Sequence, residues 1–301
     1  MRFIEAAKQG KGAVGLYAGG ILLLVLLYIL GSLPLLLDWE AHFPGSNFDL
    51  ENQRLVAAFG SLRFFFWMLF PFVLLFFGLL LYLVFVHQRK LRPIFTAAPR
   101  FRWGRFFWLA ALLLVLLGIV SFAPIFINTA SGASLQWNFK PQQFFPLLAL
   151  SILLIPIQAA AEELIFRVYA LQGLYARTGK IWLSLVLSAV FFAVVHGSNP
   201  EIQALGPAII LYYFMAGFFL ALISVQDNGL ELALAFHSIN NIFSAVVISS
   251  TWQVFHTDAL WLDNAEPGSA WVHLLTGAVF FTGLYFILAK KYHWKPLNEL
   301  R

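Results

Sequence analysis

Eight long apolar runs account for most of the chain, and short polar or basic stretches separate them. They extend approximately from Leu16 to Leu37, Phe64 to Val86, Phe106 to Ile127, Phe144 to Ala161, Trp182 to His196, Leu205 to Val225, Leu230 to Ser250 and Ala270 to Ala289. A segment needs about 20 apolar residues to cross roughly 30 Å of hydrocarbon as a helix. Most of these runs meet that length; the fifth is short, which calls for shielding by neighbouring helices. Within lipid each segment must satisfy its own backbone hydrogen bonds. The runs are too long and too continuously apolar for barrel strands, whose lipid-facing and lumen-facing residues alternate. The pattern predicts an all-α, polytopic membrane helix bundle of about eight transmembrane helices. It forms one transmembrane domain over residues 1–301, with no internal repeat or low-complexity tract. The connections Asp38 to Arg63 and His87 to Arg105 are too short to hold a core of their own.

The positions of charge orient this bundle. With the first run starting inside, the inner segments hold Arg2, Lys8, Lys11, Arg89, Lys90, Arg92, Arg100, Arg102, Arg105, Arg167, Arg177, Lys180, Lys290, Lys291, Lys295 and Arg301. Arg54, Arg63 and Lys140 are left for the other side. Basic residues concentrate in cytoplasmic loops, so both termini are expected in the cytoplasm of a multi-pass cell-membrane protein. The acidic residues Asp38, Glu40, Asp49, Glu51, Glu201, Asp258, Asp263 and Glu266 fall mostly on the outer side, in agreement. The first run is long and lacks a small-residue cleavage signature, so it is not read as a signal peptide.

Composition sharpens the picture. Hydrophobic residues make up 61% of the chain and charged residues 11%, with a mean hydropathy of +0.81, far from the averages of soluble domains. There is no cysteine, which removes thiol nucleophiles, disulfides and thiolate metal ligands. The net charge of +5 lies in patches between apolar runs, the pattern of contact with anionic lipid headgroups rather than nucleic acid. The connection from His87 to Arg105, with Phe95, Phe101 and Trp103 interleaved, is expected to anchor in the headgroups. Asp227 and Glu231 flank an Asn228-Gly229 turn and are expected at the surface.

Ionisable groups inside membrane helices are costly and mark functional sites, and three places stand out. In Ala159-Ala160-Ala161-Glu162-Glu163-Leu164-Ile165-Phe166-Arg167, small residues admit a close helix neighbour. Arg167 stands four residues after Glu163, in reach of an ion pair, so that Glu162, turned about 100° away, is left for proton transfer. The apolar pattern resumes after Arg167, which keeps both carboxylates inside the bundle instead of at a helix end. Pro156 is expected to kink this helix. The second place is Phe192-Ala193-Val194-Val195-His196. The third is His237-Ser238-Ile239-Asn240-Asn241, where His237 and Asn241 share a face and Asn240 is read as interhelical glue. Ser198, close behind His196, is read as a helix-end residue.

A carboxylate base, imidazoles and a carboxamide donor are what peptide hydrolysis by activated water requires. Glu162, His196 and His237 are also chemically able to bind zinc, so zinc is carried as the alternative cofactor. Signatures of other protease classes, His-Glu-x-x-His and Gly-x-Ser-x-Gly, are absent.

The order Glu-Glu-x-x-x-Arg, Phe-x-x-x-His and His-x-x-x-Asn on successive membrane helices resembles the CAAX protease and bacteriocin-processing family of intramembrane peptidases, which includes the prenyl-protein endopeptidase of eukaryotes. The resemblance implies an endopeptidase in which Glu162 and His196 activate water. His237 and Asn241 would then stabilise the oxyanion, while Glu163, Arg167 and Phe192 support the site. It implies a membrane-associated peptide or protein substrate, acted on among membrane lipids. The motifs lie within a core at residues 144–250 and the first three helices carry none, so the resemblance speaks to chemistry rather than to substrate. Two other classes share the inventory. A non-catalytic scaffold or bacteriocin self-immunity factor on the same fold would keep working without Glu162, and a proton-coupled transporter would carry inverted repeats.

Overall fold

A computed structural model describes residues 2–45, 60–126 and 134–299, with side chains to 123 in the second stretch. Asp49, Glu51, Arg54, Ile127 and Arg301 lie outside the described residues. Each of the eight apolar runs contains a helix among the described residues. These helices are α1 (Val14–His42), α2 (Ser61–Leu81), α3 (Trp103–Phe126), α4 (Pro141–Glu163), α5 (Ile181–Val195), α6 (Ile210–Gln226), α7 (Glu231–Ile242) and α8 (Ala270–Tyr292). Among the described residues, six helical stretches are long and apolar enough to cross a membrane, while α5 and α7 are shorter. The described residues therefore form an all-α membrane bundle, with six helical stretches of spanning length and two shorter apolar helices.

Local chemistry sets the boundaries. Pro141 opens α4 at a position where its missing N–H costs nothing. Ser269 caps α8 by accepting the Trp271 N–H at 3.3 Å. Gly179 ends the extended α4 with a left-handed φ of +64°. That helix does not stop at Glu163. It widens into a π-helix over Leu164–Leu171 and continues as α-helix over Gln172–Thr178. As a single apolar stretch it runs 38 residues, roughly 57 Å at 1.5 Å per residue, so it projects beyond a 30 Å hydrocarbon layer. A second π-segment, Phe243–Val247, follows α7.

The run expected to remain helical to Ser250 instead ends in strand β2 (Ile248–Ser250). It belongs to a small sheet with β1 (Leu135–Trp137) and β3 (Trp261–Asp263) in the order β1-β3-β2. β3 pairs antiparallel with β1 and parallel with β2. Trp261 packs against Trp137 and Phe122, which ties the sheet to α3.

Burial grades from the outside inward. On α1, residues such as Leu22, Leu26 and Leu37 are exposed, as expected of a face whose solvent is lipid. At the other extreme Glu231 to Ser238 of α7 are all buried. This helix lies between α3, α4 and α6, and Phe236 packs with Phe219 of α6 and Phe281 of α8. The centre of the bundle thus holds the His237 motif.

The ends of the bundle are tied separately. At one end Arg2 reaches Tyr175, the Phe3 N–H donates to Asn228 Oδ1, and the Lys11 N–H donates to the His87 carbonyl. At the other, Asp38 pairs with Arg63 and Ser61 donates to Asp258.

Two surface expectations need correction. Asp227 and Glu231 are buried. Glu231 takes a two-pronged ion pair from Arg102, at 2.9 Å to Nε and 2.6 Å to Nη2. Asp227 lies 2.9 Å from Arg102, is bonded to Arg105 and accepts the Trp294 indole N–H at 3.2 Å. The turn does bend as read, with Asn228 at φ 55°. It is covered because the basic connection lies over it: Leu230 N–H donates to Phe95 and Ala97 N–H to Asn228. Buried carboxylates require such partners. The same contacts show that the connection from His87 to Arg105 is not purely a headgroup anchor. Arg89 is buried and bonds Tyr17 and Gln172, while Phe95 and Phe101 join an interior cluster.

Candidate active site

The residues of all three motifs come together at the junction of α4, α5, α6 and α7. Glu162 and Glu163 are the last α-helical residues of α4, directly ahead of the π-turns. Local π geometry recurs at functional sites. Here it leaves the Phe166 carbonyl to accept from Ser188 Oγ of α5 at 2.8 Å, which fastens the two helices beside the carboxylates.

The two glutamates have different partners, as their rotation about the helix predicts. Glu163 is fully buried. One oxygen is 3.1 Å from Arg167 Nε and the other accepts from His237 Nδ1 at 2.9 Å. Arg167, also fully buried, lies 4.8 Å over the Phe192 ring and reaches the Gly217 carbonyl at 3.4 Å. Glu162 Oε1 accepts from Gln158 Nε2 at 2.6 Å. Its other oxygen, Oε2, is buried without a hydrogen-bond partner and stands 3.7 Å from both His196 Nε2 and His237 Nε2.

The histidines are held by their far nitrogens. His196 Nδ1 contacts the Phe192 carbonyl at 2.7 Å, which requires the proton on Nδ1. His237 Nδ1 likewise donates to Glu163. Both Nε2 atoms are thereby turned to Glu162, and a partner on one ring nitrogen fixing the role of the other is the usual way an imidazole is aimed. The His196 ring is sandwiched between Phe192 at 4.3 Å and Tyr213 at 4.7 Å, both stacked. Phe192 also meets His237 edge-on, so a single aromatic ring touches Arg167 and both histidines.

Asn241 does not touch Glu162 or either histidine directly. Its Nδ2 donates to Gln158 Oε1 at 3.0 Å, so it reaches the carboxylate through the Gln158 amide. Asn240 donates to Asn241 Oδ1, and Ser198 lies in the turn after α5. The motifs by themselves omit two residues of this group. Gln158 is a polar residue four positions before Glu162 in an otherwise apolar stretch, a spacing that places it on the same helix face. Tyr213 gives no such signal, because nothing around it distinguishes it from the other aromatic residues of α6.

Among the described residues, no group of three or more histidine, aspartate or glutamate side chains is arranged to hold a metal ion. Glu163, the carboxylate that contacts His237, is itself engaged by Arg167. Glu162, His196 and His237, the set carried for zinc, do not form such a group, and no step is derived through the metal.

Glu162, Glu163, Arg167, His196 and His237 form a buried carboxylate and imidazole centre inside a membrane bundle. Residues 141–243 match the model of the family described as "Type II CAAX prenyl endopeptidase Rce1-like". The motif-bearing part of the chain is thus similar to this family of CAAX-type endopeptidases. Over a longer stretch the chain is 27% identical across 253 residues to "Uncharacterized protein YyaK" of Bacillus subtilis (strain 168), covering 82% of each. No solved structure matches.

Proposed function

We propose that this protein is an intramembrane endopeptidase that hydrolyses a peptide bond of a membrane-associated peptide or protein by water activated at Glu162. One observation carries this reading: Glu162 Oε2 is buried, has no hydrogen-bond partner, and faces two imidazole nitrogens at 3.7 Å. That spacing is too long for a direct hydrogen bond and suits a water molecule shared between carboxylate and imidazole.

In the proposed reaction the water oxygen bonds to the scissile carbonyl carbon while Glu162 Oε2 takes one proton. His196 Nε2 accepts the hydrogen bond from the other water proton and so orients the attack. The negative charge that develops on the carbonyl oxygen is met by His237 Nε2–H and by the second N–H of Asn241 Nδ2. In this role His237 is protonated on both nitrogens. The buried set Glu162, Glu163, Arg167 and His237 is then electrically neutral, which a low-dielectric interior favours. The carbon–nitrogen bond breaks as Glu162 passes its proton to the leaving amine, giving a new carboxyl terminus and a new amino terminus.

The basic end of the bundle, with Arg2, Lys11, Arg89 and Arg102 in its loops, supports a cytoplasmic face there. On this reading both termini are cytoplasmic, in a cell-membrane protein whose working surroundings are lipid rather than nucleic acid. Cleavage in ¹⁸O-water by the purified protein, with its metal content measured in parallel, tests the reading. A single ¹⁸O in the new carboxyl terminus without stoichiometric metal is the expected result. An uncut library of membrane peptides, or activity that follows bound metal, contradicts it.

A further inference from the structure

A second site is built where the N-terminal end of α3 meets the C-terminal end of α8. A groove of about 580 Å³ opens there, on the same face as the basic connection. Four cations line it: Arg100, Arg102, Arg105 and Lys291. Two of them are neutralised from behind, since Arg102 and Arg105 hold the buried Asp227 and Glu231. Among the described residues no carboxylate pairs with Arg100 or Lys291, so the groove keeps an excess of two positive charges.

The aromatic walls hold the cations in place. Lys291 Nζ lies 4.2 Å over the Trp108 ring and the Arg105 guanidinium 4.3 Å over Tyr292, geometries in which a ring face attracts a cation. At the mouth, a Cβ added to Gly104 would meet nothing within 4 Å. The first turn of α3 therefore faces open space at Gly104. Below the groove, Phe107 and Val115 of α3 and Phe286 of α8 are exposed apolar residues on spans that cross the bilayer.

We propose that this groove binds one anionic glycerophospholipid. Its phosphate would lie against Arg100, Lys291 and the start of α3, and its acyl chains would run along the apolar faces of α3 and α8. Charge complementarity selects an anion, and the continuous apolar surface below selects a lipid over a soluble phosphate. The site is distinct from Glu162 and its partners and does not depend on the reaction proposed there.

Native mass spectrometry of the full chain released from nanodiscs tests it. The nanodiscs would hold equal amounts of phosphatidylglycerol and phosphatidylcholine. The expected result is one phosphatidylglycerol retained per protein. Retention should be about thirtyfold weaker in the double variant Arg100→Gln/Lys291→Gln, as two lost surface cations imply. The control Lys90→Gln/Lys180→Gln removes the same charge on exposed basic positions outside the groove and should retain the lipid as wild type does. Equal retention of the two lipids, or an unchanged double variant, overturns the proposal. So does displacement of the lipid by millimolar inorganic phosphate, which would assign the groove to a soluble anion. The fold of each variant is checked by its thermal transition, since all four positions are at the surface.

Discussion

Gln158 Nε2 donates to Glu162 Oε1 at 2.6 Å across one turn of α4. This bond leaves Oε2 as the oxygen of Glu162 that faces His196 and His237. The same amide accepts from Asn241, so a side chain outside the three motifs links the proposed base to the proposed oxyanion donor. Gln158 acts here as a positioning residue. Replacing it by leucine is expected to lower kcat about 10- to 100-fold, the usual effect of removing a partner that orients a reacting group, with KM little changed. A variant with normal kcat would show that the bond has no part in the reaction.

Arg167 and Glu163 form a fully buried ion pair at 3.1 Å. Arg167→Met is expected to destabilise the protein by about 3–5 kcal/mol, because it strands a buried carboxylate. Arg167→Lys should not rescue it, since a lysine cannot cover Phe192 as the planar guanidinium does. The double variant Arg167→Met/Glu163→Gln should recover much of the stability without the activity. Thermal unfolding in one detergent, read beside peptidase rates, distinguishes the two effects.

Gly217 of α6 is required by a close approach. A Cβ there would lie 3.0–3.1 Å from Phe192, and Phe192 carries the stacked His196 ring. Gly217→Ala is therefore expected to displace the histidine. Overpacking of this kind costs about 1–3 kcal/mol, and activity should fall further than stability. The comparison of kcat with the thermal transition decides it.

Asp227 lies outside the spans, and burial raises its pKa to about 6 against the opposing pull of Arg102 and Arg105. A carboxyl whose pKa is higher in the folded state binds its proton more tightly there. Its stabilising contribution is thus present at low pH and is lost as pH rises through the folded value. The melting temperature of wild type relative to Asp227→Asn is expected to fall between about pH 4 and pH 6 and to level off above that range. An upward trend over that interval would reverse the assignment.

The helices were legible because the membrane imposes a single requirement, a long apolar run, on every one of them. The grouping of Glu162, His196 and His237 was legible because an ionisable residue in such a run needs a partner, and the motifs supplied candidates in order. Other features had no local signal. The π-turns after Glu163 and Ile242 arise in stretches whose composition is that of any apolar helix. The burial of Asp227 and Glu231 runs against the local pattern, because Asn228-Gly229 marks a turn and turns are usually exposed. The partners that cover them, Arg105 and Arg102, are 122 and 129 residues away in the chain. Gln158 was within reach of sequence reasoning through its four-residue spacing to Glu162. The strand Ile248–Ser250 was not, since it pairs with Trp261–Asp263 only once the chain has folded.

The central claim is that Glu162 is the base, and Glu162→Gln tests it most directly, because the amide keeps the shape of the side chain and removes its capacity to take a proton. Single-turnover cleavage of a membrane peptide by wild type and Glu162→Gln, in the same nanodiscs, would be compared with their melting temperatures. A rate reduced about 10²- to 10⁴-fold, the usual contribution of a general base, with an unchanged melting temperature is the predicted result. Cleavage by Glu162→Gln at the wild-type rate would contradict the account.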